Sequence, residues 1–369
     1  MSGWIASCHR DKPFLMEHSH KHSHLWPGVP LALGSAALFG ATPPFSKLLL
    51  DSLSPFMLAG LLYLGAGIGL AAYRIAKLAT GSEKREATLQ KADIPWLAAA
   101  VFMGGVVGPA LLMFGLSRTS ASSGALLLNL EGLATMAIAW LVFRENVDRR
   151  LLSGALAILA GAALLAWDGQ GATLDSGALL IAGACLAWGV DNNLTRNISA
   201  ADPVMTAMIK GLTAGAFNIV LAIWLGASVP DAPLVAASAV LGLLGVGVSL
   251  VMFILALRHL GTARTGAYFS LAPFIGAVIA VVLLGEPVTA VLAAAGALMA
   301  LGLWLHLSER HAHEHRHAAL EHEHSHVHDE HHKHTHETPV KEPHTHRHRH
   351  QPLTHSHRHF PDTHHRHKH

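Results

Sequence analysis

Apolar residues in this chain gather into ten runs of helix length, separated by short polar breaks: about 28–50, 54–78, 94–117, 120–143, 150–167, 174–195, 203–226, 232–257, 264–285 and 287–307. About 20 residues at a rise of 1.5 Å each cross the roughly 30 Å hydrocarbon core of a bilayer, so each run predicts one membrane-spanning helix. Polar positions inside the runs are few and ordered. Thr42-Pro43-Pro44 interrupts the first run and Asp191-Asn192-Asn193 the sixth, between matching flanks: Phe39-Gly40 against Trp188-Gly189, and Ser46-Lys47 against Thr195-Arg196. Ser123 to Glu145 in the fourth run aligns without a gap with Arg264 to Glu286 in the ninth.

A duplicated membrane unit with paired breaks is the pattern of secondary transporters. Five spans per unit is an odd number, so the second unit enters the membrane upside down. The expected fold is all-α: a polytopic membrane protein of ten transmembrane helices, built as two inverted five-helix repeats over 28–168 and 174–307. A polar leader (1–27) precedes them and a His-rich tail (308–369) follows. Pro43 and Pro44 remove helix donors, and Asp and Asn compete for backbone groups, so both polar triplets are expected to unwind their helices. Pro273 is expected to interrupt the ninth.

The chain is 51% hydrophobic with a mean hydropathy of +0.38, even with its polar tail included, and its Gly and Ala suit close helix packing in lipid. The net charge of +2 says little, but its distribution is asymmetric. With both termini in the cytoplasm, cytoplasmic segments hold most of the Lys and Arg, among them Arg74, Lys77, Lys84, Arg85, Arg144, Arg149, Arg150 and Arg264, whereas outer segments hold Lys47 and Arg118. The positive-inside rule therefore predicts a multi-pass protein of the cell (inner) membrane with both ends cytoplasmic. Residues 1–27 contain no apolar signal core, so no cleavable signal peptide is expected. Cys8 and Cys185 lie in different compartments and form no disulfide framework.

These features resemble the EamA-type transporters of the drug/metabolite transporter superfamily. The resemblance rests on a small-residue first helix ending in Ser46-Lys47, on Ser54-Pro55 opening the second, on Gly285-Glu286 closing the ninth, and on the duplication. It covers roughly 31–307. The first half departs from it, ending in Phe143-Arg144-Glu145 instead of Gly-Glu. The superfamily's basic residue seven positions after the helix-opening Pro is Leu62 in the first half and Lys210 in the second. The resemblance implies membrane transport of amino acids, other metabolites, drugs or nucleotide sugars.

A charge at the centre of a span costs about 2.5–3.5 kcal/mol on insertion scales, so Glu131, midway along the fourth run, reads as a proton acceptor or a ligand for a cationic group. The bland alternative is an acid paired with Lys210 to lock helices. Asp191, Asn192 and Asn193 are candidate cavity residues, against an Asp191 that merely pairs with Arg196. Lys210 can bind a carboxylate, balance Glu131 or Asp191, or snorkel to the interface. Asn129, Tyr268 and Ser270 are candidate hydrogen-bonding residues, with Asn129 and Ser270 at equivalent repeat positions. Glu145 and Glu286 read as structural or gating groups, Phe39 and Trp188 as packing, and Cys185 as a small buried residue.

From His311 onward there are 23 His in 59 residues. The alternating His311, His313, His315 and His317, then His322, His324, His326 and His328, then His346, His348 and His350, and His355, His357 and His359 let imidazoles converge on an ion. Imidazole suits zinc, nickel, cobalt and copper. With few apolar residues the tail is expected to be disordered without a ligand. A pH-dependent polycation is the bland alternative.

Three functions follow. The first is secondary export of a small amino-acid-like or drug-like metabolite, with the tail as an accessory. The second is export of nickel, cobalt or zinc, fed by the tail. The third is a membrane-anchored metal buffer, which a duplicated ten-helix body argues against. Neither an enzymatic constellation nor an ATP-binding motif is found, no cofactor is required, and the partners are the bilayer and the transported solute, with no nucleic acid, in a monomer or homodimer.

Overall fold

The apolar runs fold as ten helices in a computed structural model that describes residues 27–80, 89–143, 149–167, 174–195, 198, 202–260 and 262–308, together with four short backbone stretches of the tail. The helices are α1 (Gly28–Leu49), α2 (Pro55–Ala79), α3 (Lys91–Leu116), α4 (Ala121–Val142), α5 (Arg149–Ala166), α6 (Ser176–Thr195), α7 (Pro203–Trp224), α8 (Ala232–Leu257), α9 (Arg264–Leu283) and α10 (Ala290–Leu307). Eight are long and apolar enough to cross a membrane by composition and length. The other two, α1 and α6, carry the polar triplets, yet at 22 and 20 residues they are as long as their neighbours. The membrane body is all-α. In the tail, Ala312–His317 runs antiparallel to Leu353–Arg358, and Leu320–His326 to His344–His350. All tail side chains, and so the predicted metal-binding His residues, lie outside the described residues.

The helix partners show the inverted repeat. α1 packs on α8 and α9, and α6, its counterpart, packs on α3 and α4. α2 packs on its own counterpart α7, and α5 on α10. Where α2 crosses α7, Gly67 lies against Gly211, and Gly215 against Leu64, so close that a Cβ on any of these glycines would stand within 3 Å of the opposing backbone. In lipid, where apolar surface alone does not drive helices together, such close backbone approach is what holds a bundle. Exposed Trp96, Trp140 and Trp304 lie toward the face that carries both ends of the bundle, and Trp167 and Trp224 toward the opposite face, as interfacial belts do.

The expected interruptions are corrected. α1 is helical through Pro43 and Pro44, and α6 through Asp191, Asn192 and Asn193. The two prolines free the carbonyls of Phe39 and Gly40, but tertiary packing holds the helix: Gly40 sits on the backbone of Ala272, and its carbonyl faces Gly276. In α6 the Asn192 and Asn193 amides bond across to α4 and Asp191 pairs with Lys210, which draws these side chains off the helix; only Asn193 also returns to a carbonyl of its own helix, that of Gly189. The irregular backbone lies in the two neighbouring pairs instead. α3 and α8 contain π-helical segments at Val101–Val107 and Leu243–Val248. α4 and α9 break into turns at 128–129 and 270–271, equivalent places in the repeat. Pro273 stands in the first turn after the α9 break.

Candidate functional site

The π segment of α3 is the floor of the site. Its i→i+5 ladder leaves backbone carbonyls without their regular α-helical donors, and side chains supply them. Tyr63 Oη of α2 (2.9 Å) and Trp188 Nε1 of α6 (3.0 Å) both donate to the Gly104 carbonyl. Asn218 Nδ2 of α7 donates to the Gly105 carbonyl at 3.1 Å. Glycine is required here by close approach: a Cβ on Gly104 would collide with the Asp191 carboxylate, and one on Gly108 would stand 2.6 Å from Trp188 Nε1. Asn218 is fully buried, and its Oδ1 has no hydrogen-bond partner among the described residues.

Above this floor Asp191 and Lys210 form an ion pair, with Lys210 Nζ 2.7 and 2.6 Å from the two carboxylate oxygens. Thr195 Oγ1 adds a bond to Asp191 at 3.1 Å. Asp191 is 6% exposed, and the Lys210 side chain 18%. Of the two acids weighed as partners for Lys210, Asp191 is the one it bonds.

Glu131 follows the α4 break, and no cation bonds to it among the described residues. Asn192 Nδ2 donates to Glu131 Oε1 at 3.0 Å and lies 3.1 Å from Thr135 Oγ1, which itself donates to the Glu131 carbonyl at 2.9 Å. Asn193 Nδ2 donates to the Thr135 carbonyl (3.1 Å) and back to the Gly189 carbonyl (2.8 Å). Gly189 permits this seam, since a Cβ there would stand 2.8 Å from Ala134. Asn192 is exposed, whereas Asn193 is buried.

Glu131, Asp191, Asn192, Asn193 and Lys210 therefore come together on α4, α6 and α7. The other three candidates, Asn129, Tyr268 and Ser270, do not bond to this group among the described residues. Asn129 Nδ2 donates to the Leu126 carbonyl (2.8 Å), closing the α4 break, and Ser270 Oγ does the same in α9, donating to Gly266 (2.7 Å). Tyr268 packs against the small core of Ala32, Ala256 and Leu260. Sequence reasoning missed Tyr63, Thr135 and Asn218, and it read Trp188 as packing although its indole N–H is bonded. The pair Gly104-Gly105 inside an apolar run was the one available signal, since close backbone approach demands such glycines. No three His, Cys, Asp or Glu residues cluster with metal-binding geometry among the described residues.

Comparison with known proteins agrees with this architecture. The EamA-like transporter family model matches residues 26–167 and again 175–308. A protein of Methanothermobacter thermautotrophicus, described as an uncharacterized transporter, is 26% identical over 296 residues, covering 76% of this chain and 86% of its own. A solved crystal structure shares the fold with a TM-score of 0.56 at 20% identity, over 76% of this chain and 95% of its own.

Proposed function

Because the chain belongs to the EamA-like transporter family, we propose that it is a secondary active transporter that exports a small organic solute carrying a cationic group, in exchange for protons. The observation that carries this reading is the difference between the two acids. Asp191 is neutralised by Lys210, whereas Glu131 is held by an amide. A mid-membrane carboxylate without its own cation takes up either a proton or a cationic ligand. Asn192, exposed beside it, is a polar group that lipid would not tolerate, which supports a water-filled approach to Glu131.

In the proposed cycle the Glu131 carboxylate binds the solute's ammonium from the cytoplasm. A proton arriving from outside displaces it, and the protonated site returns to release that proton inside. One positive charge leaves Glu131 as another arrives, so the site never crosses empty and charged. The distribution of basic residues supports a cell-membrane protein with both termini in the cytoplasm, and on this reading the tail, with its imidazoles, binds transition-metal ions beside the inner mouth. Metal export is the runner-up reading.

The test is flux into proteoliposomes holding the full-length chain under a pH gradient, with amines and amino acids beside nickel, cobalt and zinc. Glu131→Gln is expected to reduce gradient-driven flux of an amine or amino acid to background. Proton-driven flux that survives the substitution overturns the reading, and Glu131-dependent flux of metal alone replaces it with the runner-up.

A further inference from the structure

At the face opposite the termini, the hairpin between α3 and α4 is gripped from both ends. Lys47, at the end of α1, donates through Nζ to the Leu116 carbonyl at 2.5 Å and the Thr119 carbonyl at 2.9 Å. Glu286, just after α9, accepts the Ala121 amide at 2.7 Å on Oε1 and the Ser122 amide at 2.8 Å on Oε2. Each contact matches charge to polarity. A cation sits on the Leu116 carbonyl that ends α3 and on the Thr119 carbonyl of the loop, and an anion on the free amides that begin α4. Gly285 makes the second contact possible: its φ of 68° lies in the left-handed region, and it turns the chain after α9 so that Glu286 points back at α4.

The hairpin thus joins two helices of the first repeat that line the polar site, and the two residues gripping it come from α1 and the end of α9. The exposed group at the site, Asn192, lies toward the other face. We propose that Lys47 and Glu286 are the gate of the face opposite the termini: a two-sided latch, closed in this conformation, that must let go of the Leu116–Ser122 hairpin for the site to open there. A charged group bonded only to main-chain carbonyls or amides exchanges readily with water, because water supplies the same donors and acceptors. That suits a contact made and broken in every cycle better than a buried ion pair would. The inference rests on alternating access, but not on which solute or ion Glu131 carries.

The experiment measures the gate directly. Spin labels at Asp51→Cys and Ser117→Cys, both exposed on this face and on either side of the latch, report their separation in the full-length protein in lipid, with Cys8→Ser removing background. The parent is expected to give one dominant short distance. Glu286→Gln, and separately Lys47→Met, are expected to add a longer population, several-fold more abundant than in the parent, and to change the rate of solute flux. Two folded variants whose distance distribution matches the parent's would overturn the gate and leave a static staple. A shifted distribution in a protein whose Glu131→Gln variant still couples to protons would retain the gate while rejecting the proposed coupling.

Discussion

The two halves of this molecule place one geometry in two chemistries. Where α6 of the second half meets α3 of the first, Asp191 presses on Gly104 of a π-helical segment, with Lys210 as its partner and Trp188 beside it. At the repeat-related position, Thr42 presses on Gly245 of the other π segment, with Leu62 standing where Lys210 would be and Phe39 where Trp188 would be. Thr42 Oγ1 donates only to its own helix, at Leu38, and Leu62 is buried against Gly242. The same backbone, a glycine-lined π segment of one half receiving a side chain from a helix of the other, is thus a charged site where α6 meets α3 and an apolar joint where α1 meets α8. Backbone irregularity alone therefore does not make the site; the side chains placed on it do.

Converting the charged contact into the apolar one should have the largest effect. Lys210→Leu copies Leu62 and leaves Asp191 buried without its cation. The expected cost is about 3–5 kcal/mol of stability, read by thermal unfolding of the purified protein. The double variant Asp191→Thr/Lys210→Leu copies the whole Thr42 joint and should regain most of that stability without regaining flux. A Lys210→Leu protein as stable as the parent would show that the ion pair is not what distinguishes the two contacts.

The glycines sharpen the contrast next. Gly104→Ala pushes a methyl into a salt-bridged carboxylate that has nowhere to go, whereas Gly245→Ala meets the Thr42 hydroxyl, which lacks such a partner. Overpacking of this kind costs about 1–3 kcal/mol, and Gly104→Ala should sit at the upper end, Gly245→Ala at the lower. Equal losses would mean that the helix crossing, and not the ion pair, sets the tightness.

The smallest change is Asn218→Leu, which copies Leu70 of the first half. It removes the hydrogen bond to the Gly105 carbonyl but also the unpartnered Oδ1, so the net cost should stay within about 1 kcal/mol. A much larger loss would show that Asn218 Oδ1 has a partner in another conformation.

Much of this was legible in one dimension. Lipid forces each span to satisfy its own backbone, so helices must be long, apolar and continuous, and hydropathy reads them directly. That is why ten spans, their order and the duplication could be taken from the sequence. Glu131, Asp191 and Lys210 stood out for the same reason, since a charge inside an apolar run is costly enough to need an explanation.

What the chain alone left open was which of those groups meet. Lys210 had two acids within plausible reach, and only the packing of α6 and α7 on the π segment of α3 gives it to Asp191 and leaves Glu131 to Asn192. The irregular backbone was also misplaced. Proline and Asp-Asn signals marked α1 and α6, yet neighbouring helices absorb them there, while the π segments of α3 and α8 carry no proline within them and no polar residue. In α3, side chains distant in sequence, Tyr63, Trp188 and Asn218, bond the carbonyls that the π segment frees, whereas the α8 segment is packed on α1 and α2. Sequence by itself determined the helices, their number and their inverted order, because the bilayer acts on each span separately. Only the tertiary structure decided the pairing of charges, the place of the irregular backbone and the latch on the hairpin, because each depends on groups brought together by helix packing and not by the chain's own periodicity.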